Sequence, residues 1–235
     1  MKLHRVVGWI FQKSLGRLKY YKQFSPDIEI VGNSDQVIRA MLIKEKNRSV
    51  SNGRILKFLD VGARDGTKAD MAAGFDYHAI DIRPRTSGVL AGDICSCPHV
   101  PDDSFDVVFS LDVFEHVQRP WDAAKECIRI TKPGGLLIHR TLFAYRYHPI
   151  PHDYWRFSSQ GLEYLFTSAG HATTLLKGYD IRSRRKDRRG YNLLSKPPID
   201  WLGGFRENCK VLWIGRKELT KNASPFEPKG LGGKT

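Results

Sequence analysis

The 235-residue chain has no run approaching the roughly 18 consecutive apolar residues of a membrane-spanning helix. Its longest early apolar run, Val6 to Phe11, is too short for the core of a secretory signal. Both absences make a cytoplasmic protein the expectation. Cysteine is scarce: Cys95, Cys97, Cys127 and Cys209 are too few for a disulfide scaffold, and no second pair stands at zinc-ligand spacing from Cys95 and Cys97. Reduced thiols are expected. Internal repeats are absent, and the first 24 residues contain no acid at all.

What the chain has in excess is positive charge, with 38 Lys and Arg against 25 Asp and Glu, a net of +13. Such a balance points to a polyanionic partner: nucleic acid, anionic lipid or a phosphorylated substrate. Two places hold much of it. The first is the acid-free start, with Lys2, Arg5, Lys13, Arg17, Lys19 and Lys22. The second runs from Arg182 to Arg189, six basic residues around Asp187. The latter would close over an anionic substrate, touch nucleic acid or simply be solvated.

Apolar residues from Leu3 to Tyr21 recur with a period near 3.6, which predicts a basic amphipathic helix that either docks on the domain or lies on a membrane surface. Residues 1–33 therefore read as an extension, and residues 1–24 as a site for peripheral membrane contact at the inner surface. Ser34 is expected to cap a helix reaching Lys46, with Asn47 to Gly53 as a loop. Strands are expected at Ile55 to Val61, Tyr77 to Ile82, Phe105 to Ser110 and Leu136 to Arg140, with helices at Lys68 to Ala73 and Trp121 to Thr131. That alternation implies a doubly wound, mostly parallel α/β sheet with helices on both faces. After a helix at Ser159 to Ala169, apolar runs at Thr173 to Leu176 and Val211 to Gly215 predict an antiparallel hairpin at the sheet edge. The Lys-, Pro-, Gly- and Ser-rich segment 219–235 reads as a disordered tail beyond a domain of residues 34–218.

Three carboxylates fall at successive strand tips. Asp60 ends the hydrophobic strand that opens the run FLDVGARDG, where Gly62 and Gly66 let the backbone approach a ligand. Asp81 in AIDIRP stands 21 residues later, placed to accept both hydroxyls of a ribose. Asp93 in AGDI is suited to accept from an adenine amino group, with Ile94 covering the ring. Residues 62–66 lack the full G-x-G-x-x-G pattern, which argues against a dinucleotide.

With DDSFDVVFSLDVFEHV (102–117) and KPGGLLI (132–138) in the same order, the segment from Ile55 to Gly170 resembles the class I S-adenosylmethionine-dependent methyltransferases. That resemblance implies a Rossmann-like seven-stranded sheet and S-adenosylmethionine as cofactor. It sets Asp60, Gly62, Ala63 and Gly66 beside the methionine part, Asp81 and Ile82 at the ribose, Asp93 and Ile94 around the adenine, and Ser110, Leu111 and Asp112 along the cleft. KPGG would be the turn before the fifth strand. Arg64 stands where the family often has glycine.

The i, i+3, i+4 spacing of Asp112, Glu115 and His116 would put all three on one helical face. It is similar to the E-x-x-E-H of ubiquinone-biosynthesis O-methyltransferases, where a magnesium-type ion is implied. Asp stands first here, and no metal ligand is assigned. FAYRYHPIPHDYWRF (143–157) is similar to a segment of methyltransferases from bacterial glycan and secondary-metabolite pathways, and falls where that fold builds its acceptor pocket. His152 with Asp153, or His116, would supply a base, with His148 a rival. His148, Tyr154, Trp155 and Arg156 would hold a small or glycan-linked, phosphorylated acceptor. Methyl transfer to an oxygen, less readily a nitrogen, is the expectation. Nucleic acid, in particular RNA, remains an open acceptor, although neither an Asn/Asp-Pro-Pro-Tyr/Trp motif nor a Pro-Cys nucleophile is found. A non-catalytic cofactor-binding scaffold also stays open.

Overall fold

The computed structural model describes residues 29–50, 53–66, 68–145, 147–149, 151–180 and 209–219. The expected basic first helix, the basic run 182–189 and the tail from residue 220 lie outside these residues.

Seven strands form one sheet: β1 (Lys57–Val61), β2 (Asp76–Asp81), β3 (Leu90–Ala91), β4 (Phe105–Leu111), β5 (Thr131–Ala144), β6 (Ala172–Asp180) and β7 (Cys209–Lys217). Their order is β3-β2-β1-β4-β5-β7-β6. The pairs from β3 through β5 are parallel, and β7 pairs antiparallel with both β5 and β6. The expected parallel sheet and its antiparallel edge hairpin are both present.

Alternation along the strands divides the core in two. Leu59, Val61 and Val108 face Ala123 and Cys127 of α2 (Pro120–Ile130) and Leu162 and Phe166 of α3 (Ser159–Ala169). Phe58, Val107 and Phe109 face Ile38 and Leu42 of α1 (Ser34–Val50), a pair one helical turn apart. Pro120 stands in the first turn of α2, where its missing N–H costs nothing. Ser158 caps α3, its hydroxyl accepting from the Gly161 amide at 3.0 Å.

Several local expectations are corrected. Asn33 caps α1 instead of Ser34: its Oδ1 accepts from the Gln36 amide at 3.3 Å, while the Ser34 hydroxyl donates to Asp180 at 2.7 Å. The helix then runs on to Val50 through the expected loop. The expected helix at 68–73 shrinks to a 3-10 turn, Ala69–Ala72. KPGG forms a bulge inside β5, not a turn before it, because the register against β4 jumps from Phe105↔Thr131 to Val107↔Leu136. At the far edge, residues 29–31 lie against β6, and a Cβ on Gly178 would come within 2.4 Å of the Glu29 carbonyl oxygen. No helix among the described residues is long and apolar enough to cross a membrane.

Candidate active site

Strand order reverses between β1 and β4, and at such a point the loops leaving the two strands diverge to opposite faces and open a crevice at their carboxyl ends. A cleft of about 1100 Å³ lies there. Val61 and Gly62 line it from the end of β1, Asp81 and Ile82 from β2, and Asp112 and Val113 from β4.

Gly62 has φ +74°, and a Cβ there would come within 2.4 Å of Val113 Cγ2, so this close crossing of the two loops requires glycine. Arg64 adopts φ +53°, the left-handed conformation that the glycine it replaces would take without strain. Its amide donates to Asp81 Oδ2 at 2.9 Å, and the Arg83 amide donates to Oδ1 at 2.7 Å. Two backbone donors thus fix this carboxylate at the mouth of the cleft, each oxygen keeping a lone pair. Asp93 also lines the cleft, but from a loop, because β3 stops at Ala91. Its Oδ1 accepts from the Cys95 amide at 2.8 Å, and Ile94 beside it is buried and faces the cleft.

Asp60, Ala63, Gly66, Ser110 and Leu111 do not line the cleft. Asp60 is wholly buried beneath it, accepting from the Tyr77 hydroxyl at 2.9 Å. Burial pushes its carboxyl up to about 6, against the pull of Lys68 and the Tyr77 hydrogen bond. Ser110 belongs to the core, its hydroxyl 2.7 Å from His139 Nδ1. Burial alone holds His139 down at about 3, and its ring stacks on Phe166. Leu111 contributes its carbonyl, which accepts from Lys68 Nζ at 2.7 Å. Lys68, a side chain that sequence reasoning missed, is itself held low by burial despite attraction from Asp60 and Asp112.

Asp112 has φ +59° and accepts from Lys210 at 2.6 Å and Arg140 at 3.2 Å through Oδ2, while Oδ1 is buried without a partner. Burial would raise this carboxyl, but Arg140 and Lys210 outweigh it and hold it low. The expected single face of Asp112, Glu115 and His116 does not form, since the residues after β4 make a 3-10 turn, Phe114–His116.

Across the cleft stand His116, His148, His152 and Tyr154. Asp153 turns away from its neighbour His152 and accepts from the amide and Nδ1 of His148 at 2.8 and 3.1 Å. Arg156 grips both oxygens of Asp153, at 2.6 and 2.8 Å. Burial would raise that carboxyl, but the Arg156 and His148 hydrogen bonds outweigh it and hold it at about 2. The Arg156 guanidinium is thus occupied structurally. Trp155 lies outside the cleft, its indole N–H donating to the Val117 carbonyl at 2.9 Å. Arg64, Arg83 and Arg85 add a basic rim beside Asp81.

Residues 59–139 match the family model described as a methyltransferase domain. A relative from Mycolicibacterium vanbaalenii, named an uncharacterized methyltransferase, is 34% identical over 96 residues, 35% of this chain and 38% of the relative. One of the same name from Mycobacterium ulcerans is 28% identical over 144 residues, 54% of this chain and 55% of the relative. A solved S-adenosylmethionine-dependent methyltransferase of Methanosarcina mazei superposes with a TM-score of 0.51 at 15% identity, over 71% of this chain and 94% of that one. The chain shares the fold of S-adenosylmethionine-dependent methyltransferases, and its residues 59–139 carry the likeness to a methyltransferase domain. It spans about half the length, or less, of these curated relatives. The [4+2]-cyclase SpnF shares the fold, with a TM-score of 0.54 at 17% identity, over 83% of this chain and 86% of that one. Likeness at that level shows the fold alone.

The cofactor that this likeness implies is S-adenosylmethionine, and the residues present fit it. The Asp81 carboxylate, with open lone pairs, suits a ribose, the aliphatic wall at Ile94 suits an adenine face, and Asp112 Oδ1, without a partner among the described residues, suits a cationic group.

Proposed function

We propose that the protein transfers the methyl group of S-adenosylmethionine to an oxygen, less readily a nitrogen, of a small or glycan-linked acceptor that carries an anionic group. The observation that supports this most is one continuous cleft with Asp81, Asp93 and Ile94 on one wall and three histidines and Tyr154 on the other. Its volume of about 1100 Å³ exceeds the ~300–1,000 Å³ of a pocket for one small ligand, which leaves room for cofactor and acceptor together.

When bound, the cofactor supplies an electrophilic methyl group on a cationic sulfur, whose departure needs no acid. The chain's task is placement, which is worth several kcal/mol when reacting atoms are held in line. Asp81 fixes the nucleoside, Gly62 lets the loop after β1 approach it, and Asp112 faces its positive charge. A hydroxyl acceptor must also lose a proton. His152, whose ring makes no hydrogen bond among the described residues, receives it at the solvent edge. Asp153 contributes by holding His148. The basic rim of Arg64, Arg83 and Arg85 favours a phosphate or carboxylate on the acceptor.

The test is titration with S-adenosylhomocysteine. Two charge-assisted hydrogen bonds to Asp81, at ~1.5 kcal/mol or more each, make Asp81→Ala about 100-fold weaker than wild type. Equal affinity in the two proteins, or no binding to wild type, would sink the reading. The same basic rim also suits a nucleic-acid acceptor. Under that second reading, affinity for RNA falls steeply with salt, and feeble binding at low salt removes it.

A further inference from the structure

Glu115, His116 and His148 bring one carboxylate and two imidazoles together, with their ligand atoms all within 4.8 Å of one another. Two stand in the turn after β4 and the third lies 32 residues further on, so the fold alone unites them.

Each donor is prepared as a metal ligand has to be. His116 Nδ1 lies 2.5 Å from the His152 carbonyl oxygen, which can only accept, so the proton sits on Nδ1 and Nε2 carries the lone pair. His148 Nδ1 lies 3.1 Å from Asp153 Oδ2, which orients that ring in the same sense. Asp153 is wholly buried and clamped by Arg156, so this outer carboxylate is rigid. A carboxylate behind a histidine is the usual support of a metal-bound imidazole, since it fixes the tautomer and raises basicity. Glu115 is also wholly buried: Oε2 accepts from the Thr141 hydroxyl at 2.7 Å, whereas Oε1 has no partner among the described residues. An unsatisfied buried oxygen costs ~1–3 kcal/mol, and a protein that needed only packing here would gain by an apolar residue.

We propose that Glu115 Oε1, His116 Nε2 and His148 Nε2 hold a divalent transition-metal ion. Two imidazoles and one carboxylate suit Zn²⁺, Fe²⁺, Co²⁺ or Mn²⁺, whereas Mg²⁺ and Ca²⁺ take oxygen ligands. Three protein ligands leave coordination positions open. Because His116 and His148 line the cleft, those positions face the acceptor. The acceptor class is then one that chelates through neighbouring oxygens, such as a vicinal diol, a hydroxy acid or a phosphate beside a hydroxyl. That last step rests on the methyl-transfer reading of the cleft; the ion site itself does not.

The full chain, stripped with a chelator, is titrated with Co²⁺ and followed by visible absorption, with S-adenosylhomocysteine titrated separately on each sample. One saturable equivalent is expected, with the intense bands of four- or five-coordinate cobalt. His148→Ala and Glu115→Gln should each weaken it by about 100-fold while leaving the nucleoside bound. No saturable binding by wild type, or equal binding in both variants, overturns the site. Should a variant lose the nucleoside too, the wild-type spectrum decides, because weak octahedral bands without nitrogen ligation refute the assignment. Cobalt without nucleoside upholds the ion site and refutes the methyl-transfer reading, and nucleoside without cobalt does the reverse.

Discussion

Replacing Asp60 by Asn should make the protein more stable at neutral pH. Asp60 has no exposed surface, and its Oδ1 has no partner among the described residues. Burial lifts its carboxyl from 3.8 to about 6; Lys68 and Tyr77 pull the other way, and Asp81 adds to the rise. Between those values the folded state keeps a proton that the unfolded chain has released. The group's contribution to stability is therefore complete below 3.8 and is lost as pH climbs through about 6. The gap between 3.8 and 6, at 1.36 kcal/mol per pKa unit, comes to about 3 kcal/mol. Asn keeps the shape without the ionisation. In urea unfolding without cofactor, followed by tryptophan fluorescence, variant minus wild-type stability should grow by about 3 kcal/mol from acid to neutral pH. Taking the difference cancels every other titrating group that the two proteins share. A difference that stays flat with pH would refute the reasoning, because it would mean that the carboxyl ionises as it does in water.

The two glycines of the loop after β1 should behave differently. A methyl group at Gly62 meets Val113 at 2.4 Å, so Gly62→Ala should abolish nucleoside binding in a calorimetric titration. At Gly66 the space is open, and Gly66→Ala should cost only the ~1 kcal/mol of its positive φ, with binding retained. His139 is neutral in the fold, held at about 3 against an ordinary 6.5. Its contribution is present above 6.5 and falls by ~1.4 kcal/mol per pH unit as the solution is acidified toward 3. His139→Phe, with Ser110→Ala to remove the stranded hydroxyl, should flatten that acid limb in the same unfolding series. Lys68→Met removes the cation opposing burial at Asp60, so the pH dependence in the first experiment should steepen.

The central sheet was legible because parallel strands are buried on both faces and read as unbroken apolar runs. Phe105–Leu111 is buried along its whole length, and only Asp106 and Ser110 interrupt its apolar run. Asp81 and Gly62 were legible for a related reason: a ligand crevice constrains the residue type at fixed distances from strand ends. Elements decided by partners far away in sequence were not legible. Lys68 to Ala73 reads as a helix, yet Lys68 Nζ reaches the Leu111 carbonyl, and only a 3-10 turn remains. Ser34 has the right residue type for a cap, but Asp180 takes its hydroxyl.

The acceptor wall shows the same limit most sharply. Adjacency suggested that Asp153 serves His152, but in an extended segment neighbours point to opposite sides. The amides of Tyr154 and Trp155 both donate to the Glu115 carbonyl, at 2.8 and 3.2 Å, while the Phe157 amide donates to the Leu142 carbonyl. These bonds staple residues 153–157 between the turn after β4 and the end of β5. Asp153 then faces inward and His152 faces the cleft, and the Asp153 carboxylate holds the ring of His148 beside that of His116, with ring centroids 4.8 Å apart. A pattern of residue types along the chain holds no trace of two backbone amides sharing one carbonyl. Yet that sharing decides which histidine receives a carboxylate and which faces the cleft without one.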